Sequence, residues 1–211
     1  DGEPYKSSGG EMVESELGMI PKGWEVVKLK ELVKISTISV SPNNYDKQVF
    51  EHYSIPALDE RGFPAFDTGS EIKSNKYKVY NDSILISKLH PTKKRIWRPL
   101  CLTENAVCST EFINYIPINN GLKEYCYGII DSDRFLEFLV NHATGSTGSR
   151  QRVKPRETLN HKIVKPSDTD LLFNYNEIAK EVYGTINNNI LENEKLTQLR
   201  DTLLPKLMSG E

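Results

Sequence analysis

Apolar residues recur at Ile178, Val182, Ile186, Ile190, Leu196, Leu199, Leu203 and Leu207, mostly three or four apart, with no glycine between Gly184 and Gly210. That period puts one apolar stripe on a helix running from about residue 176 to the end of the chain. Lys195, Arg200 and Lys206 lie in its second half, where cations suit the helix dipole. Leu204–Pro205 is the expected fray point, because proline lacks the N–H and crowds the preceding turn. Such a helix is roughly 45 Å long at 1.5 Å per residue, more than a small domain can cover. The stripe therefore predicts a partner helix and a coiled-coil arm. Asn187, Asn188, Asn189 and Asn193 interrupt it, and polar residues in a coiled coil can fix register and partner number. The competing reading is an ordinary terminal helix folded onto its own domain.

Upstream the period shortens. QVFEHYSI, EIKSNKYKVY, SILISKL, RIWRPLCL, VCST and FINYIPI, all between residues 48 and 118, are short, rich in β-branched and aromatic residues, and bounded by Asn, Asp, Gly or Pro. They predict strands without alternating long helices, hence a mixed or antiparallel sheet in an α+β domain. Leu122, Tyr125, Cys126, Ile129 and Ile130 share one helical face. Asp131-Ser132-Asp133 offers a cap for a second helix over 134–143, with Phe135, Leu136 and Leu139 inward. Leu29 to Val33 reads as a short helix after Trp24, which seals a core edge. Residues 1–18 are acidic and Gly/Ser-rich, the composition of a linker. The predicted organisation is a linker over 1–18, a globular domain over 19–166 and a helical arm over 167–211.

Composition changes this picture in one respect. The 211 residues carry a net charge of −2, which argues against a generally nucleic-acid-binding surface. The cations are concentrated, however. Lys88, Lys93, Lys94, Arg95 and Arg98 occupy residues 88–98 with no acid among them. Residues 150–165 hold six cations against Glu157 alone. Two basic segments on an otherwise balanced chain form a localised footprint. Cys101, Cys108 and Cys126 lack C-x-x-C spacing and read as free thiols of a reducing cytoplasm. No run of 18 apolar residues and no signal-peptide pattern occurs. The chain opens on Asp1, which reads as a piece of something longer.

Few residues suggest catalysis. There is no glycine-rich cofactor loop and no nucleophile elbow, and His52, His90, His142 and His161 lack metal-ligand spacing. Asp67 with Glu71-Ile72-Lys73 imitates the acid and E-x-K pattern of a metal-dependent nuclease, a triplet that chance produces readily in so charged a chain. The basic segments are the better candidates. Residues 88–98 join two strand-like runs, so a hairpin tip there would present Lys88, Lys93, Lys94, Arg95 and Arg98 to phosphates or guanine edges. In the second segment Ser146, Thr147 and Ser149 can bond phosphate oxygens, and the glycines permit close backbone approach. Gln151 can pair with adenine, Arg150 or Arg152 with guanine, and Lys154 with phosphate.

KLTQLRDTLLPKLMSGE at the end of the chain closely resembles the conserved helical region of type I restriction–modification specificity subunits. PYKSSGGEMVESELGMIPKGWEVVKLKEL near the start, LISKLHPTKKRIWRP, STEFINYIP and HATGSTGSRQRVKP extend the resemblance over nearly the whole chain. ILISKLHPTK and PSDTDLLFNYNEIA stand where a common variant has an SRxGTIG-like strand and a PLxEQ entry to the helix. The resemblance implies a non-catalytic DNA target-recognition domain followed by a conserved spacer helix. It implies double-stranded DNA, methylation subunits and a restriction subunit as partners, with S-adenosylmethionine, ATP and Mg²⁺ on those subunits and no cofactor here. A second specificity half would be present in cis or as a homodimer, paired through the Ile178–Leu207 stripe. A purely structural pairing module is the alternative.

Overall fold

The computed structural model describes residues 10–145 and 151–209. In chain order the strands are β1 (Met12–Ser15), β2 (Gly18–Pro21), β3 (Trp24–Lys28), β4 (Val33–Ile35), β5 (Ser39–Val40) and β6 (Val49–Tyr53). Helix α1 (Ile55–Glu60) follows, then β7 (Ala65–Thr68), β8 (Lys76–Lys78), β9 (Ile84–Ser87), β10 (Ile96–Trp97), β11 (Ala106–Ser109) and β12 (Phe112–Pro117). Helices α2 (Lys123–Ile130) and α3 (Asp133–Asn141) lead to β13 (Ala143–Thr144), β14 (Arg152–Val153), α4 (Pro155–Thr158) and β15 (Lys162–Pro166). The last described element is α5 (Thr169–Ser209).

The predicted α+β class holds. One sheet is four-stranded and antiparallel, in the order β10-β9-β12-β4. A second is five-stranded and mixed, in the order β5-β8-β11-β6-β7, with β11 parallel to β6, and β1-β2, β13-β14 and β15-β3 form two-stranded pairs. Strand β9 is buried throughout and serves two cores. Ile84 and Ile86 face Tyr115, Cys126, Ile130, Phe135 and Leu139, whereas Leu85 faces Tyr53, Trp97, Cys108 and Phe112. Ser132 caps α3 by accepting from Phe135 N at 3.2 Å, as its place in Asp-Ser-Asp predicts. Burial pushes all three free cysteine thiols up to about 12.

Four expectations are corrected. Residues 12–18, read as linker, form the β1–β2 hairpin with residues 19–21, and Gly18 supplies the positive φ that the turn requires. The run RIWRPLCL gives only a two-residue strand. Beyond Trp97 the backbone leaves the sheet, because Leu100 N and Cys101 N donate to the Tyr53 hydroxyl at 2.8 and 3.0 Å. Thr103 N donates to the buried Glu51 carboxylate at 2.7 Å. Leu29–Glu31 is a single 3₁₀ turn leading straight into β4.

The fourth correction concerns the arm. Helix α5 starts at Thr169, about two turns before the apolar stripe, with Asp168 Oδ1 accepting from Asp170 N and Leu171 N. It passes through Pro205, where a lost bond four residues from the helix end does not break it. Its 41 residues span about 61 Å. No helix among the described residues is long and apolar enough to cross a membrane.

His161 is buried, with ring centroids 5.1 and 4.7 Å from Phe135 and Phe138. Burial, then the neighbouring Arg134 and His142, lower its pKa to about 4. A histidine held neutral in the fold but free to protonate when unfolded contributes stability above its unfolded pKa, and that contribution disappears as pH falls below it. The fold is therefore expected to lose on the order of 2 kcal/mol between pH 6.5 and 4 through this residue. Denaturant titrations at stepped pH check this: His161→Gln should flatten the slope in that window.

Candidate nucleic-acid interface

The two basic segments, some sixty residues apart in sequence, lie side by side. Strands β9 and β10 form the expected hairpin, closed by Ser87 N donating to Arg95 O at 2.9 Å. Its outgoing limb meets the incoming limb of the second segment at a bridge between Leu89 and Arg152. There His90 N donates to Gln151 O at 2.9 Å and Val153 N to Lys88 O at 3.0 Å. The β11–β12 turn joins this ribbon through Lys88 N to Glu111 O, 2.9 Å. His90 takes a φ of 51°, uncommon for a residue with a Cβ, as the chain turns into Pro91-Thr92. Ser146, Thr147, Ser149 and Arg150 lie outside the described residues. Gln151, Arg152 and Lys154 lie on or beside β14.

The charge of these segments is answered by carboxylates from elsewhere. Asp59, at the end of α1, takes Lys93 at 2.9 Å and holds Arg95 in a fork with contacts of 2.8 and 2.7 Å. Those hydrogen bonds keep its carboxyl far below the usual range. Lys94 pairs with Asp131 at 2.7 Å, Arg152 with Glu111 at 3.2 Å and Lys154 with Glu157 at 3.2 Å. Lys88 has no ion-pair partner among the described residues. Exposed pairs are worth at most about 1 kcal/mol, so Lys93, Arg152 and Lys154 can exchange a carboxylate for a phosphate. The Arg95 side chain is only 13% exposed and less free to do so.

Arg98 faces inward. Its guanidinium meets Glu124 through Nε at 2.8 Å and Nη2 at 2.5 Å, donates through Nη1 to Asn187 Oδ1 at 3.1 Å, and lies 4.8 Å from the Tyr183 ring. Glu124 is itself buried. Arg98 thus joins the domain to α5, and the structure does not bring it together with the exposed cations of the ribbon. Asn176 Oδ1 makes a second join by accepting from Glu124 N at 2.8 Å. Asp59, Glu111, Glu124 and Asn176 escaped the sequence reading. Each pairs with a group distant in sequence, and no local pattern marks such partners.

On α5 two faces separate. Leu172, Asn176, Tyr183, Asn187, Ile190 and Glu194 turn toward the domain. Ile178, Val182, Leu196, Leu199, Leu203 and Leu207 are 44–74% exposed along a different side, with Ile186, 43% exposed, at its edge. Ile186 and Ile190, both counted in the predicted pairing stripe, line a cleft against the domain. The nuclease-like residues do not converge. Asp67 bonds His52 Nδ1 at 2.7 Å, while Glu71 locks its own turn through Thr68 N at 2.7 Å. Among the described residues no three His, Cys, Asp or Glu side chains are grouped to hold a metal.

No family model matches the chain. Two curated proteins do. The HindI specificity subunit of Haemophilus influenzae is 23% identical over 203 residues, covering 91% of this chain and 42% of that protein. The MjaIX specificity subunit of Methanocaldococcus jannaschii is 27% identical over 208 residues, covering 91% of this chain and 45% of that protein. Among solved structures, the HsdS subunit of Thermoanaerobacter tengcongensis superposes with a TM-score of 0.60 at 19% identity, over 94% of this chain and 50% of the other. The S subunit of M. genitalium gives 0.58 at 12% identity, over 89% and 46%. The chain spans less than half the length of the curated relatives it matches. It is a homologue, over most of its own length, of the type I restriction enzyme specificity subunits, and it shares the HsdS fold.

Proposed function

We propose that this chain recognises one half of a bipartite double-stranded DNA target as part of a type I restriction–modification specificity subunit. The observation that carries the reading is the ribbon joining Lys88–His90 to Gln151–Val153, which gathers both basic segments on a domain fixed to a long helix. The exposed stripe of α5 would pair with a second specificity half, in cis or from another copy, and dock methylation subunits. Two modest affinities held at a fixed separation then act as one joint affinity. Methyl transfer, restriction and their S-adenosylmethionine, ATP and Mg²⁺ belong in this reading to the partner subunits, in the cytoplasm.

Each phosphate neutralised on duplex DNA contributes about −0.9 to the slope of log K against log salt. Lys88→Glu with Arg152→Glu is therefore expected to lower affinity at least about tenfold and flatten that slope by about 2. Fluorescence anisotropy on the chain assembled with its methylation subunits reads both quantities. The second reading, a structural pairing module, draws on the carboxylate partners that neutralise most of the basic loops. Unchanged affinity and slope in the double variant would select it.

A further inference from the structure

Beyond Leu172, which sits in the core, side-chain hydrogen bonds hold the domain to α5 at three levels. Asn176 caps α2, and Asn187 meets Arg98. Higher up, Arg61 Nη2 reaches Glu194 with contacts of 2.5 and 2.7 Å. From Asn176 to Glu194 the helix rises about 27 Å. The first two levels are backed by close packing, with Tyr125 edge-on to Tyr175 and Tyr127 edge-on to Tyr183. The third is not. Between the Arg61–Glu194 pair and the second level, whose Arg98, Tyr183 and Asn187 form one wall, lies a cleft of about 260 Å³ also lined by Leu58, Gly62 and Ile190. Where side chains fill an interface, its angle is set by packing. Across an unfilled cleft, the length of the spanning ion pair sets it.

The same short segment also leads to the basic ribbon. Asp59, two residues before Arg61, holds Lys93 and Arg95. Glu194 on the helix is thus linked through Arg61 and Asp59 to the loop carrying the candidate phosphate contacts. We propose that Arg61 and Glu194 form a strut that sets the pitch of the recognition domain on α5, and through it the half-site separation that the assembled protein accepts. The inference rests on the DNA-recognition reading. Its geometric consequence is direct: one base pair rises 3.4 Å, so a swing of a few ångströms at the ribbon corresponds to a change of one base pair.

Two measurements test it on the full chain. The first is a pulsed electron-spin distance between labels at Phe66→Cys and Thr202→Cys in a Cys101→Ser background, read without DNA. Arg61→Ala should broaden the distance distribution, and Arg61→Glu with Glu194→Arg should restore it. The second is competition between bipartite targets whose spacers differ by one base pair, with the methylation subunit bound. Wild type should prefer one spacer by about tenfold, and Arg61→Ala should narrow this to within about threefold. The melting temperature should change by no more than about 4 °C, because the Arg61 side chain is 53% exposed and such a half-solvated pair contributes little. An unbroadened distribution overturns the strut. A broadened one with unchanged spacer preference overturns its role in specificity. No spacer preference in wild type overturns the recognition reading itself, and the distance measurement still reports on the strut.

Discussion

Replacing Arg98 by alanine is expected to destabilise the fold by about 3–5 kcal/mol, the usual consequence of removing one partner from a buried ion pair. Both side chains are nearly closed to solvent, at 13% for Arg98 and 4% for Glu124. The variant would strand the Glu124 carboxylate beneath α5, take a donor from Asn187 and remove the cation from the Tyr183 ring. The transition in guanidinium should move to lower concentration, with the melting temperature about 10 °C lower. Restoration identifies the cause. Arg98→Leu combined with Glu124→Leu should be distinctly more stable than Arg98→Ala, since burying two apolar groups avoids the unpaired charge. A loss under about 1 kcal/mol in the single variant would show that the pair is solvated and the join weak.

The second large effect concerns association. Beyond Glu194 the helix continues for about four turns, and Leu196, Leu199, Leu203 and Leu207 remain 44–74% exposed. Burying one leucine is worth about 1.5–3 kcal/mol, and charge placed there would also be desolvated on pairing. Leu196→Glu with Leu203→Glu should therefore weaken the proposed pairing through this stripe by at least about a hundredfold. Light scattering across a concentration series reads this as a mass falling to that of the single chain. The melting temperature, taken at a concentration where wild type and variant are both single chains, should stay put, because these positions lie past the Arg61–Glu194 contact. A shared loss of mass and stability would show instead that the stripe belongs to the domain's own core.

These expectations also mark what was legible in the chain. The α+β class, the β9–β10 hairpin, the Ser132 cap and the long helix follow from periods and punctuation over ten or so residues. Period alone started the helix near residue 176, because the first turns of α5 carry Leu172 and Asn176 toward the domain, out of line with the Ile178–Leu207 stripe, whereas the arm boundary at 167 lies two residues before Thr169. The β1–β2 hairpin was hidden by a Gly- and Ser-rich composition that also describes linkers. Arg98, Ile186 and Ile190 show the deeper limit. Local charge and period put them on a DNA loop and a pairing stripe, but the partners that decide their roles lie on distant elements. Asp59, Asp131 and Glu111 similarly answer cations far along the chain. A run of like charge therefore gave the location of the ribbon without its effective charge.

One pairing has a consequence for how such chains change over time. Strand β3, residues 24–28, lies antiparallel to β15, residues 162–166, so the globular unit is entered and left through neighbouring strands. Everything between them, including the ribbon, can be exchanged without altering the distance between the two flanking connections. Units with close ends are tolerated as insertions. The closing pair thus makes the domain a replaceable cassette, whose substitute need match only this two-stranded base and the face of α5 beside it.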